Sequence, residues 1–394
     1  MKISILAQDL GNNCLGRAYL LAKILQRKYD IEIIGPGANP VEGIWPPLKN
    51  DKSIEIKCIK VYSNKFKSYT QWGNWMKLID GDVIYASKPL ITSFGIGLLK
   101  KLKDKKPLIL DIDDWEYGFA REYMKGNSVF QSMKYLFTSA THPFGRASYW
   151  NIVISEKLVR YADKITVSNR FLQKRFGGTI IPHGRDTDIL TPNKFNKYKM
   201  REKYDIGQDK KVVMFYGTHR KYSGIEDLIN AINDIRDKKV VLVLVGVEND
   251  LYGNKIVDLG RGLLKDRFIF FGPQPFERLP ELLSTSDIIS IPQRKCFATL
   301  GMLPAKVFDA MAMAKPIVAS KVNDLPDILN GCGYLVEPGQ PRQIADAIKF
   351  IINNYAGAEN VGKMARSKCI NEYSLNALER ILTNIFEKYR LSDN

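Results

Sequence analysis

The run GMLPAKVFDAMAMAKPIVAS, Gly301 to Ser320, gathers residues that could hold a phosphate. Pro304 suits a first helical turn, Ala310, Ala312 and Ala314 favour helix, Lys315-Pro316 stops it, and IVAS is β-branched. The spacing predicts loop, helix and strand in succession. Such a helix start, the turn from Leu303 through Pro304 and Ala305 to Lys306, offers unpaired N–H groups from its non-proline residues, with the positive end of the helix dipole behind them. Lys306 could neutralise one phosphate, and Asp309, about one turn on, could accept hydrogen bonds from a ribose diol. A second grip lies in KKVVMFYGTHRKYSGIEDL: Gly217 lets a ligand approach the backbone, and Arg220 or Lys221 can reach a diphosphate. A third group, Asp111-Ile112-Asp113-Asp114, contains an Asp-x-Asp triplet able to bind a divalent metal. Because strand C-termini point towards ligands in open α/β sheets, acceptor contact or general-base duty for Asp113 or Asp114 is the preferred reading.

These groups need a scaffold, and the hydrophobic pattern supplies one. KISILAQ, IEIIGP, SIEIKCI, DVIYAS, PLILDID, KITVS and TIIP read as strands in the first half, and KKVVMFYG, VVLVLVG, DRFIFFG, SDIISIP, IVAS and GYLVEP in the second. Helical stretches separate them, as in LGRAYLLAKIL, where Leu15, Ala18, Leu21, Ala22 and Leu25 form a stripe. Strand, helix, strand is the βαβ unit of a parallel sheet, so each half is expected to be α/β and doubly wound. Gly11 and Gly16 flank the first strand-to-helix loop. No G-x-G-x-x-G is present, which argues against nicotinamide or flavin chemistry. The 394 residues fit two ordinary domains, and the polar run TPNKFNKYKMREKY reads as the linker and first helix of the second.

The 301–320 stretch resembles the donor-binding signature of the GT-B fold retaining glycosyltransferases of family 4, the glycosyl transferases group 1. That signature has two glutamates eight apart, the second opening a Glu-Ala-Met-Ala-like helix. Asp309 stands at the second, and Gly301 replaces the first, which in the family is thought to contact the donor sugar. Ile181-Pro182-His183-Gly184-Arg185-Asp186 resembles the family's Ile-Pro-Asn-Gly-Val-Asp passage, with His183 for Asn. The 217–224 segment is similar to its Gly…Arg…Lys-Gly motif, with Ser223 before the last glycine. Gly272-Pro273-Gln274-Pro275 matches the loop that in relatives lies against the base. The resemblance implies two Rossmann-like domains facing a cleft: residues 1–190 for the acceptor, 191–372 for the nucleotide-sugar, and 373–394 a helix crossing back. It also implies that Gly11 and Gly16 lie on the acceptor side, and that Arg220 and Lys306 stabilise a leaving diphosphate. Retention would follow from same-face attack, with a donor phosphate oxygen taking the acceptor proton and no obligatory metal or cofactor. The expected partners are a nucleotide diphosphate-sugar and a hydroxyl acceptor, a glycolipid or cell-surface polysaccharide precursor. An epimerase or a non-catalytic nucleotide-sugar-binding protein of the same fold is the alternative, the latter prompted by Gly301.

Bulk composition narrows the classes. The net charge is +17, and splitting after Leu190 gives 29 − 18 = +11 and 30 − 24 = +6. Such a surface favours anionic partners, but no nucleic-acid motif accompanies it, so nucleic acid is not expected. Five scattered cysteines form no CxxC pair, which fits a reducing, cytoplasmic setting. MKISILAQDL is too short an apolar run for a signal peptide. Two stretches are candidates for peripheral contact with an anionic membrane. FGIGLLKKLKDKKP combines an apolar run with Lys100, Lys101, Lys103, Lys105 and Lys106, and the insertion between Tyr117 and Ile154 carries Phe130, Tyr135, Phe137, Phe144 and Trp150.

Overall fold

The computed structural model describes residues 1–37, 43–60, 72–141 and 148–390, so Phe144 lies outside it. The chain divides into two compact units: Met1–His183 with Leu300–Leu303 and Leu375–Asn394, and Gly184–Thr299 with Pro304–Ser374.

The first unit is built on seven parallel strands, β1 (Lys2–Leu6), β2 (Asp30–Gly37), β3 (Glu55–Lys60), β4 (Val83–Ser87), β5 (Leu108–Ile112), β6 (Lys164–Val167) and β7 (Thr179–Ile180). Their spatial order is β3-β2-β1-β4-β5-β6-β7. The second has six parallel strands, β8 (Lys211–Tyr216), β9 (Val240–Val245), β10 (Phe268–Phe271), β11 (Ile288–Ile291), β12 (Ile317–Ser320) and β13 (Tyr334–Val336), in the order β10-β9-β8-β11-β12-β13. Counted within each unit, both begin 3-2-1-4-5-6, the doubly wound order.

Strands covered on both faces must be apolar throughout. β9, VVLVLV, is buried at every position. The helix Ile225–Asp234 buries Ile225, Leu228, Ile229, Ala231 and Ile232 against this sheet and against Ile344, Ile348 and Ile351 of the helix Pro341–Asn353. Each such aliphatic side chain contributes roughly 1.5–3 kcal/mol, and truncation to Ala would cost about 2–5 kcal/mol.

In the first unit the terminal helix Leu375–Arg390 joins the core through Leu378, Leu382 and Phe386, whose ring meets Tyr85 edge-on at 5.4 Å. Arg27 of the helix after β1 (Leu15–Leu25, extended by a turn) reaches Glu379 at 3.0 Å. The predicted helix after Pro304 is corrected in one respect: it spans only Lys306–Ala312, beginning two residues past the proline. Val307 and Phe308 close tight turns onto the carbonyls of Pro304 and Ala305, so the proline ends the preceding loop and does not open the helix.

Candidate functional site

In a doubly wound sheet, neighbouring crossovers diverge between strands 1 and 4, leaving a crevice at their C-terminal ends. Each unit places titratable side chains at this point.

In the second unit the point lies beyond β8 and β11. Gly217 ends β8 with φ +95°, where a side chain is strained, and a Cβ there would meet Lys306 Nζ at 3.4 Å. Gly224, at φ +72°, is pressed so close to Pro292 O that a Cβ would sit 1.8 Å from it, fixing the loop between. Lys306 comes from the helix after β11, its Nζ 3.8 Å from the Phe215 ring centroid. Among the described residues it has no ion-pair partner. Burial drives its pKa down to about 7, against the opposing pull of Asp309; the side chain keeps some exposure, so solvent tempers this. His219 is buried next to Phe215, and neither ring nitrogen makes a well-formed hydrogen bond. Burial, then the Lys306 charge, lowers it to about 4, so it stays neutral. The Gln293 Oε1 is likewise buried without a partner just past β11. Unpaired buried polar groups cost about 1–3 kcal/mol each, and their concentration here marks a place built for a polar ligand.

Asp309 is held from within. Arg185 Nε pairs with Oδ1, Arg185 Nη2 donates to Oδ2 at 3.2 Å and to Ala305 O at 3.2 Å, and Tyr216 Oη donates to Lys306 O at 2.5 Å. Arg220 and Lys221 stand in the loop after β8. Arg220 is about half exposed, 3.5 Å from Glu248, and its backbone N–H donates to Ser223 Oγ at 3.2 Å. Pro273 is exposed on the loop after edge strand β10. The structure thus brings Gly217 and Lys306 together and adds His219, Gln293, Tyr216 and Arg185, which sequence reasoning gave no role. The Gly-Thr-His of YGTHR, directly after a strand, was the available signal for His219.

In the first unit the same point is acidic. Lys88 follows β4 in the left-handed region, φ +76°, a strained conformation for lysine. Its Nζ lies 2.6 Å from Asp114 Oδ2, 2.9 Å from Asp113 Oδ1 and 3.0 Å from Glu116 Oε1. Burial opposes the ammonium, but Asp113, Asp114 and Glu116 outweigh it and raise its pKa well above the usual value. Burial and the neighbouring Asp113 and Glu116 push Asp114 well above the carboxylate range despite Lys88. In Asp113 burial is outweighed by Lys88 and then Arg17, so it stays ionised. Its Oδ1 accepts no well-formed hydrogen bond. Asp111 has a different job: Arg17 binds it bidentately at 2.8 Å and 2.8 Å while also donating to Ile181 O at 2.7 Å. That buried pair ties helix to strand.

Gly11 donates its N–H to Asp9 at 2.9 Å, and a Cβ at Gly16 would press on the Trp45 ring at 3.2 Å. Leu303 is buried, and a Cβ at Gly301 would stand 2.4 Å from Trp115 Cβ, so this unit has no room for a glutamate there. Among the described residues no group of three or more His, Cys, Asp or Glu side chains could hold a metal ion.

A family model, described as Glycosyl transferases group 1, matches residues 210–354. That span contains every strand of the second sheet. Residues 210–354 form a group 1 glycosyl transferase domain. The group 1 domain is accompanied by the first unit's sheet of like order, and the two are the Rossmann-like domains of the GT-B fold. HepE of Anabaena, solved in complex with UDP-glucose, covers 98% of this chain and 100% of its own at a TM-score of 0.77 and 16% identity. Sucrose-phosphate synthase of Thermosynechococcus elongatus covers 100% of each chain at 0.74 and 17%. In sequence, alpha-D-kanosaminyltransferase of Streptomyces kanamyceticus is 26% identical over 200 residues, 49% of either chain. The chain spans about half to two thirds of the length of the curated relatives it matches first.

Proposed function

We propose that the chain is a retaining glycosyltransferase that moves a hexose from a nucleotide diphosphate-sugar to a hydroxyl acceptor. The observation that carries this is the Lys306 ammonium, half-buried beside the bare backbone of Gly217 and, among the described residues, without an ion-pair partner. A diphosphate is the ligand such a cation lacks, and its bound charge would return Lys306 to the protonated state. The UDP-glucose held by HepE makes uridine nucleotides the first donors to try.

In this reading the group 1 domain holds the donor. Lys306 and Arg220 oppose charge as the sugar–phosphate bond breaks, and neutral His219, bearing one N–H, donates to a phosphate or sugar oxygen. Attack comes from the face the diphosphate leaves, and a phosphate oxygen takes the acceptor proton. The first domain holds the acceptor, with ionised Asp113 accepting from its hydroxyl groups and Asp114, whose pKa is raised, available to exchange a proton. The proposal includes a cytoplasmic place of work, consistent with five free thiols.

The test is release of nucleoside diphosphate from UDP- and GDP-sugars with and without candidate acceptors, followed by Arg220→Ala. Acceptor-dependent release that falls about tenfold or more in the variant supports the assignment. Conversion of nucleotide-sugar alone would make the chain an epimerase, and binding without turnover on any acceptor would make it a binding protein.

A further inference from the structure

The helix Val129–Thr141 carries its amphipathicity the wrong way round for a packed surface helix. Val129, Phe130, Met133 and Phe137 share one side, within about 100° on a helical projection, and are 78%, 77%, 64% and 72% exposed. The packed side carries Ser132, whose Oγ donates to Met124 O at 3.1 Å, Tyr135, whose ring lies 5.0 Å from that of Tyr123, and buried Ser139. A helix of a water-soluble domain normally buries its apolar stripe. Trp150 and Ile154, one turn apart on the helix Tyr149–Leu158, are exposed too, and Trp150 Nε1 donates to Leu136 O at 3.3 Å, tying this pair to the same helix.

Charge says what covers this face. The three helices Glu116–Lys125, Val129–Thr141 and Tyr149–Leu158 expose Arg121, Lys125, Lys134 and Lys157. Of their acids, Glu116 is held by Lys88, Glu156 by Arg175, and Glu122 is half-buried, so the exposed charge of these helices is basic. Two copies of this chain meeting here would bring like charges together, which opposes a homodimer. We propose that this face docks on the anionic surface of a lipid bilayer, with Phe130, Met133 and Phe137 at the acyl boundary and the basic residues among the headgroups.

The lysine-rich segment 100–106 is the weaker membrane candidate. Lys100 pairs with Asp104 at 2.7 Å, Lys101 with Asp163 at 2.6 Å, and Lys106 donates to Gly81 O at 2.7 Å, so three of its lysines hold the fold together.

The experiment is flotation of the full chain at low salt with vesicles of phosphatidylcholine alone or mixed with phosphatidylglycerol. The wild type should float with the anionic vesicles and lose that binding as salt rises. Phe130→Ser combined with Phe137→Ser, both on an exposed face and therefore harmless to folding, should lower the bound fraction about tenfold. Lys134→Glu should lower binding to anionic vesicles, and Leu102→Ser with Lys103→Glu, at the other segment, should leave it unchanged. Failure of the wild type to float, or wild-type flotation of the Phe double variant, overturns the proposal. A dimer in light scattering that the Phe double variant dissolves, without flotation, overturns it in favour of a protein interface. No donor or acceptor enters the assay, so its outcome is separable from the fate of the glycosyltransferase reading.

Discussion

Two lysines stand at equivalent points of two sheets with the same winding, and their surroundings are opposite. Lys88, after the fourth strand of the first unit, is enclosed by Asp113, Asp114 and Glu116. Lys306, on the helix after the fourth strand of the second, faces an aromatic ring and a bare glycine, and among the described residues no carboxylate is paired to it. The first cation is neutralised by the protein itself; the second, among the described residues, is not. Topology therefore decides where a ligand is received, and local charge decides which kind. The first unit offers carboxylates suited to hydroxyl groups, and the second offers a cation suited to phosphate.

The largest effect should come from breaking the first arrangement. Lys88→Ala leaves three carboxylates around a buried site without their counterion, and should cost about 3–5 kcal/mol in denaturant unfolding. A loss under about 1 kcal/mol would mean that Lys88 is an ordinary surface pair.

Lys306→Ala should do the reverse and leave stability unreduced or slightly raised, since the cation–π contact it loses, about 0.5–2 kcal/mol, is offset by release of the burial penalty that depresses the lysine's pKa. The same variant should lower turnover about 100–1,000-fold, the usual cost of a missing charge-stabilising group. Calorimetry of UDP binding with turnover assays on the purified variant gives both readings. Wild-type affinity and turnover would erase the contrast between the two units.

The smallest effect is on pH. With Lys306 at about 7 in the free protein against 10.5 for the unperturbed side chain, the unfolded chain binds more protons between these values. The burial penalty is therefore felt in full below pH 7 and is lifted as pH rises towards 10.5, so this group makes stability increase with pH across that window. Diphosphate binding needs the charged form and runs the other way. Affinity should fall above pH 7, by at most about tenfold per unit, with proton uptake visible as buffer-dependent binding heats. Lys306→Arg should flatten the profile.

The described strands are visible in the sequence, edge strand β3, EIKCIK, as an alternation. The central ones such as β9 are visible as apolar runs, because a strand covered on both faces has little room for polar residues. Gly217 was legible for a related reason, since a glycine directly after such a run marks a sharp turn that a side chain would strain. The partners were not. Lys88 meets Asp114 across 26 positions and Arg185 meets Asp309 across 124, and no local pattern encodes such distances. Asp309 read as a free acceptor and is already engaged by Arg185. Lys100, Lys101 and Lys106 read as a basic face and turn out to be largely paired, while in the aromatic insertion, the other membrane candidate of the sequence, it took the structure to show that Val129, Phe130, Met133 and Phe137 share one exposed side.

By itself, then, the chain's order of residues determined the number of sheets, their parallel winding and the loops at which a phosphate could be met, because burial and turn geometry act over a few neighbours at a time. Only the folded structure decided which charges are neutralised and which left open. Coulomb energy and desolvation depend on distance in space, and the groups that set them are supplied from remote parts of the chain.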